Sequence, residues 1–158
     1  MPSTTPSPSV DRHPVVMYAG LALTAITTLV PLIDLVTADT LTNHVRAAYP
    51  EWPAATVALD RNAIVGYLVA VGVLGIAGWL WTIRGVTRHR NWARTVATIM
   101  FVLGVSAALL NLTFTGGAYD NVIPAQYSIP GLLPSLVGLV LVVLLWRGRS
   151  TDSNSTPR

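Results

Sequence analysis

The sequence contains no cysteine and no lysine, and charged residues make up only 11% of it. Without thiols the chain can form no disulfide, no thiolate nucleophile and no cysteine-ligated zinc or iron–sulfur site. Four-helix redox proteins that pass electrons between thiols and a quinone are therefore excluded. Soluble domains carry about 25% charged residues, so the deficit indicates a membrane protein.

Residues suited to catalysis or to cofactor binding are also scarce. The three histidines, His13, His44 and His89, lie in flanks or loops, whereas a membrane cytochrome holds its haem through histidines within the spans. The sequence has no phosphate-binding loop, no hydrolase or metalloprotease motif, and no pair of carboxylates within one apolar segment. We therefore expect a non-enzymatic protein with no catalytic residue, no metal and no cofactor.

Hydrophobic residues account for 52% of the chain and are concentrated in four long segments. The segments cover residues 14–38, 63–83, 93–115 and 131–146. Each is close to the ~20 residues that a helix needs to cross a hydrocarbon core of about 30 Å. The sequence predicts an all-α fold, in which residues 14–147 form one domain with four transmembrane helices. The polar tails, 1–13 and 148–158, are predicted to be disordered.

The first segment has a second interpretation. A charged flank, an apolar stretch and the tripeptide Val36-Thr37-Ala38 together match a secretory signal peptide with its cleavage site. The apolar region of a signal peptide spans only about 7–15 residues, and this one is longer. A retained membrane helix is the preferred interpretation.

The connection between the first and second segments, residues 39–62, is the longest one. Leu41, Val45 and Ala48 fall on one face of a short predicted helix. Pro53 suits the first position of a new helix. We therefore expect a partly helical outer loop, and a second long helix that begins near Pro53 and projects about two turns above the membrane.

Eight of the ten arginines lie on one side of the four segments if the chain begins inside the cell. Those eight are Arg12, Arg84, Arg88, Arg90, Arg94, Arg147, Arg149 and Arg158. Short arginine-rich loops stay in the cytoplasm, so both termini are predicted to be cytoplasmic, in the cytoplasmic membrane of a bacterium. The net charge of +3 is then explained by arginines that set the orientation of the chain and contact anionic lipid. No nucleic-acid partner is expected. Arg84, Arg88, Arg90 and Arg94 are predicted to contact anionic headgroups.

Small and polar residues recur every three or four positions along each segment. They are Gly20, Thr24, Thr27, Pro31 and Asp34 in the first, Gly72, Gly75 and Gly78 in the second, Ala97, Phe101, Gly104, Ala108 and Asn111 in the third, and Gly131, Ser135 and Gly138 in the fourth. Helices in lipid associate by close packing, which small residues allow. This spacing predicts a left-handed antiparallel bundle, although the same faces could bind a protein partner or a second copy of the chain.

Asp34 is the only ionisable residue within an apolar segment, which makes it the first candidate for a functional residue. Its position, about 30 Å along the first helix, is close to the outer interface. Asn111 occupies the matching level of the third helix. We hypothesise that Asp34 and Asn111 line an outward-facing polar pocket together with Arg61. The alternative is an ordinary carboxylate at a helix end.

Three features resemble the small four-helix integral membrane proteins of unassigned function that are common in actinobacteria. They are Asn91-Trp-Ala-Arg94 at the start of the third segment, LLPSLVGLVLVVLLWR at 132–147, and the missing lysines. The resemblance implies location and topology and assigns no residue a role. Small multidrug transporters match poorly because their acidic residue is not near the outer end, and claudin-like proteins have loop cysteines that this chain lacks.

Two functions are compatible with this pattern. The first is a non-enzymatic accessory or interaction subunit of the cytoplasmic membrane. The second is a small transporter or channel that works as an oligomer, with Asp34 and Asn111 on the permeation path.

Overall fold

The computed structural model describes residues 12–88, 90 and 92–147. Within them the chain forms five helices and no strand: α1 Arg12–Val36, α2 Thr40–Ala48, α3 Ala54–Thr87, α4 Ala93–Thr113 and α5 Ala125–Arg147. All except α2 are long and apolar enough to cross a membrane. The predicted all-α fold with four candidate spans is confirmed. Apart from Arg12 and His13, which belong to α1, the two tails predicted to be disordered lie outside the described residues.

The four long helices form a ring in the order α1, α3, α4, α5, and each packs against its two neighbours. Within the described part of the chain, the diagonal pairs α1–α4 and α3–α5 do not pack against each other. Neighbouring helices run antiparallel: Gly20 of α1 lies at Trp79 of α3, and Thr28 lies at Gly72. A ring with open diagonals leaves space at its centre.

The faces that the spacing assigns to helix contacts point toward this centre. The residues of those faces that line the central space are Thr24, Thr27, Pro31, Gly72, Gly75, Gly78, Ala97, Phe101, Gly104, Ala108, Asn111, Gly131, Ser135 and Gly138. Gly20 is buried against the ring of Trp79. The pattern therefore identifies the inward side of every long helix.

The loop before α3 folds as the sequence predicts. Leu41 and Val45 of α2 are fully buried, and they pack with Val57 and Ile64 of α3 and with Ile123. Helix α3 begins at Ala54, directly after Pro53. With 34 residues it is about 51 Å long, more than the ~30 Å of a hydrocarbon core, so part of it lies beyond the span. We call the side of the bundle that carries α2 the α2 end. The opposite side, with the connection between α3 and α4, is the arginine end.

The predicted start of the fourth helix is wrong. Helix α5 begins at Ala125, before Pro130 and Pro134, and not at Gly131. A proline lacks the N–H that closes a helical turn, which is why the sequence indicated a boundary there. Tertiary contacts hold the early turn instead, because the buried Ser128 hydroxyl donates to the Asn111 carbonyl of α4 at 3.0 Å.

The α1–α3 contact gives a direct test of close packing. A Cβ at Gly72 would collide with the Oγ1, Cγ2 and Cβ atoms of Thr28, whereas a Cβ at Gly66 would meet nothing within 4 Å. We expect Gly72→Ala to lower stability by about 1–3 kcal/mol through overpacking. Gly66→Ala, the same change in the same helix, should be neutral or stabilising by about 0.5–1 kcal/mol. Thermal unfolding in detergent, followed by circular dichroism, measures both, and equal midpoints would contradict the packing.

Candidate functional site

The space inside the ring is a cleft of about 450 Å³ bounded by all four long helices. Along α4 its lining runs from Ala97 near the arginine end to Asn111 near the α2 end. At 1.5 Å per residue this is a length of about 21 Å. The cleft is long and narrow, a shape that suits an extended chain better than a compact solute.

The hydroxyls that α1 presents to the cleft are already bonded within their own helix. Thr24 donates to the carbonyl of Gly20 at 2.8 Å, and Thr28 donates to that of Thr24 at 2.6 Å. Thr27 donates in the same way to Leu23 at 3.0 Å. Because their protons are occupied, these residues offer the cleft methyl groups and weak acceptors, and the α1 wall is nearly apolar.

Two other hydroxyls in the cleft differ from these. Thr82 of α3 is only 3% exposed, and Ser135 of α5 is half-buried. Neither hydroxyl has a hydrogen-bond partner among the residues that the structure describes, although both line the cleft. An unsatisfied buried hydroxyl costs about 1–3 kcal/mol, so a ligand that accepts from Thr82 would gain from its position.

The cleft opens sideways between α3 and α4. Leu74 of α3 and Leu103 of α4 both line it, yet they are 70% and 57% exposed. The lining residues of α1 and α5 are buried or half-buried. Above the opening, the Tyr67 hydroxyl of α3 donates to Asn111 Oδ1 at 2.8 Å, and below it Met100 lies at Gly78. Leu74 and Leu103 lie near the middle of candidate spans, so in a bilayer that these helices cross the opening would face hydrocarbon.

Asp34 has a structural task at the α2 end. It is half-buried, and its Oδ2 accepts the N–H of Thr40, the first residue of α2, at 3.0 Å. The first N–H groups of a helix lack partners within it and carry partial positive charge, so a carboxylate is favourable there. The side-chain hydroxyl of Thr40 also bonds to the Tyr127 hydroxyl at 2.9 Å, and it accepts from the side-chain amide of Gln126 at 2.8 Å. Asp34 therefore belongs to the junction of α1, α2 and α5.

The three residues of the hypothesised polar pocket have different partners. Arg61 pairs with Asp39 at 3.4 Å, Asn111 accepts from Tyr67, and Asp34 bonds to Thr40. Of the three, only Asn111 lines the cleft. Among the described residues, no aspartate, glutamate, arginine or histidine lines the cleft. The cleft is thus uncharged.

Among the described residues, the arginine end carries positive charge without an acidic partner. Arg84, Arg88 and Arg90 are exposed and Arg94 is half-buried. Residues 84–94 contain no acidic residue. Within the described parts of the chain, the Arg61–Asp39 pair at the opposite end is the only salt bridge. The contact of these four arginines with anionic headgroups stays a prediction.

An aromatic cluster covers the α2 end. Tyr49 stacks on Trp52 with 3.8 Å between ring centroids, and Tyr119 stacks on His44 at 5.1 Å. The Tyr119 hydroxyl donates to Asp60 at 2.5 Å. Burial of the phenol, and secondarily this hydrogen bond, raise the pKa of Tyr119 well above its usual value. The cluster ties the 114–124 loop to α2 and α3.

Among the residues that the structure covers, no three histidine, aspartate or glutamate side chains converge. Comparison with protein-family models, with curated proteins and with solved structures finds no match.

Sequence reasoning missed Thr82, Leu74 and Leu103. Thr82 is the only serine or threonine of the predicted second span, 63–83, and that could have drawn attention to it. Leu74 and Leu103 gave no signal, because a leucine that frames an opening looks like any lipid-facing leucine.

Asp34 offers a test of its structural task. Asp34→Ala removes the acceptor for the Thr40 N–H and should destabilise the start of α2 by about 1 kcal/mol, as loss of a capping side chain does. Asp34→Asn keeps an acceptor oxygen and should retain most of the effect. Hydrogen exchange of the α2 amides measures this. Unchanged exchange in Asp34→Ala would remove the assigned task and return Asp34 to the list of functional candidates.

Tyr119 predicts a dependence on alkaline pH. In the unfolded chain its phenol ionises near pH 10, whereas the folded protein holds the proton to higher pH. Unfolding then releases a proton above about pH 10, so stability is complete below that pH and falls as the pH rises. Melting temperatures between pH 8 and 11 should decline less steeply for Tyr119→Phe than for the unmodified protein. Identical slopes would show that Tyr119 ionises equally in both states.

Proposed function

We propose that this chain is a non-enzymatic accessory or interaction subunit of a bacterial cytoplasmic membrane, and that its central cleft holds the apolar part of a molecule taken from the bilayer. In this proposal the bundle is left-handed and both termini are cytoplasmic, as the arginine distribution predicts. The resemblance to small actinobacterial four-helix proteins remains a prediction.

The observation that carries the proposal is that the cleft has uncharged walls and also opens sideways between α3 and α4. The cleft has no charged wall, its α1 hydroxyls are bonded internally, and its lateral opening is framed by two leucines. Ligand pockets of about 300–1,000 Å³ with mostly apolar walls and a few polar groups are typical of small-molecule sites. A ligand that reaches this cleft through the bilayer is itself soluble in hydrocarbon.

The second candidate, a transporter or channel that works as an oligomer, is favoured by one residue. Asn111 lies in the cleft near the α2 end and has an amide nitrogen with no acceptor among the described residues. Asp34 and Arg61 would have to leave their present partners to join it. The proposal of a binding cleft needs no such rearrangement.

A bulky side chain in the opening tests the cleft. Leu103→Trp fills the space between α3 and α4 and should reduce co-purifying lipid several-fold. Leu109→Trp is the matched control, because Leu109 lies on the same helix, is 53% exposed and does not line the cleft. Native mass spectrometry from mild detergent measures retained lipid, and equal retention in both variants would contradict the proposal.

The same spectra report stoichiometry. A stable complex with another protein supports the accessory subunit, whereas a homo-oligomer supports the transporter.

A further inference from the structure

We infer that the cleft receives one acyl chain of an anionic phospholipid, which enters between α3 and α4 while its phosphate binds at Arg88 and Arg90. This inference rests on the proposed function and adds the ligand's chemical class. Its basis is that the opening and the positive charge belong to the same pair of helices.

The opening and the arginines are the right distance apart. Leu74, at the opening, and Arg88, at the end of α3, are separated by 14 residues, or about 21 Å of helix. A bilayer of about 40–45 Å, headgroups included, places its headgroup layer roughly 20–22 Å from the midplane. When Leu74 lies at the midplane, Arg88 lies among the headgroups. A lipid bound there has its chain at the depth of the opening.

The charge of the connection selects the headgroup. Arg88 and Arg90 lie in the turn that joins α3 to α4, which is directly beneath the opening, and both are exposed. The backbone fixes this turn, because the Arg90 N–H donates to the carbonyl of Gly85 at 3.1 Å. No acidic residue in 84–94 competes for these guanidinium groups, whose planar donors match a phosphate.

Thr82 provides a polar contact between phosphate and chain. It lies about 12 Å along the helix from Leu74, close to the edge of the hydrocarbon core, where the ester groups of a phospholipid lie. Thr82 is 97% buried and lines the cleft, and its hydroxyl has no partner among the described residues. An ester carbonyl would accept its proton. An uncharged hydrocarbon would leave the hydroxyl unsatisfied, which favours a phospholipid as the occupant.

The test compares two spin-labelled lipids in vesicles of phosphatidylcholine that contain the full-length protein. The lipids are phosphatidylglycerol and phosphatidylcholine, each labelled deep in the same acyl chain. We expect electron paramagnetic resonance to show a larger immobilised fraction for phosphatidylglycerol. Arg88→Gln and Arg90→Gln should each reduce its relative affinity, by up to about fivefold per arginine. Arg46→Gln, an exposed arginine of α2 at the opposite end, is the control and should have no effect.

Two further test variants, Leu103→Trp and Thr82→Val, each with its own control, separate this inference from the proposed function. Leu103→Trp should remove the immobilised component for both lipids and Leu109→Trp should not; Leu74→Trp replaces Leu103→Trp if the latter fails to fold. Thr82→Val should weaken immobilisation, whereas Thr113→Val should not, because the Thr113 hydroxyl is bonded within α4 and does not line the cleft.

Equal immobilisation of both lipids that disappears in Leu103→Trp would overturn the headgroup selection and leave the cleft as a binding site. Immobilisation that persists in Leu103→Trp as fully as in the control Leu109→Trp would place the lipid outside the cleft and overturn the proposed function as well.

Discussion

The close approach of α1 and α3 is the contact on which the rest of the bundle depends. In hydrocarbon there is no hydrophobic gain from joining two apolar helices, so they associate where side chains are small enough to let backbones meet. Gly20 receives the ring of Trp79, and Gly72 receives Thr28. This seam sets the positions of both helices, and α4 and α5 close the ring against them. The diagonals stay open because the ring is fixed at its edges, and the cleft is the result.

The charged side chains of the described residues are divided between the two ends. At the α2 end, Asp34 and Asp60 accept hydrogen bonds from Thr40 and Tyr119, and together with stacked aromatic rings these bonds fasten the connections to the helices. At the arginine end, a short turn leaves its guanidinium groups exposed. The α2 end therefore secures the connections between helices, and the arginine end presents positive charge at its surface.

Much of the fold follows from the sequence because the bilayer imposes a simple rule of length and polarity. The candidate spans, the buried face of α2 and the extension of α3 from Pro53 were all predictable in this way. The start of α5 was not, because the contact of Ser128 with the Asn111 carbonyl outweighs the local effect of Pro130. Asn111 was placed correctly at an inward position. Asp34 and Arg61 were grouped with it by level along the helix, and level does not determine which neighbour a side chain finds. Thr40 and Asp39 became their partners through the geometry of the loop.

The lateral opening between Leu74 and Leu103 determines which concentration governs occupancy of the cleft. A site that opens to water responds to the amount of ligand dissolved there. Under the proposed function the cleft exchanges its ligand with the surrounding leaflet, so its occupancy follows the mole fraction of the ligand among the lipids and is insensitive to the volume of the cell.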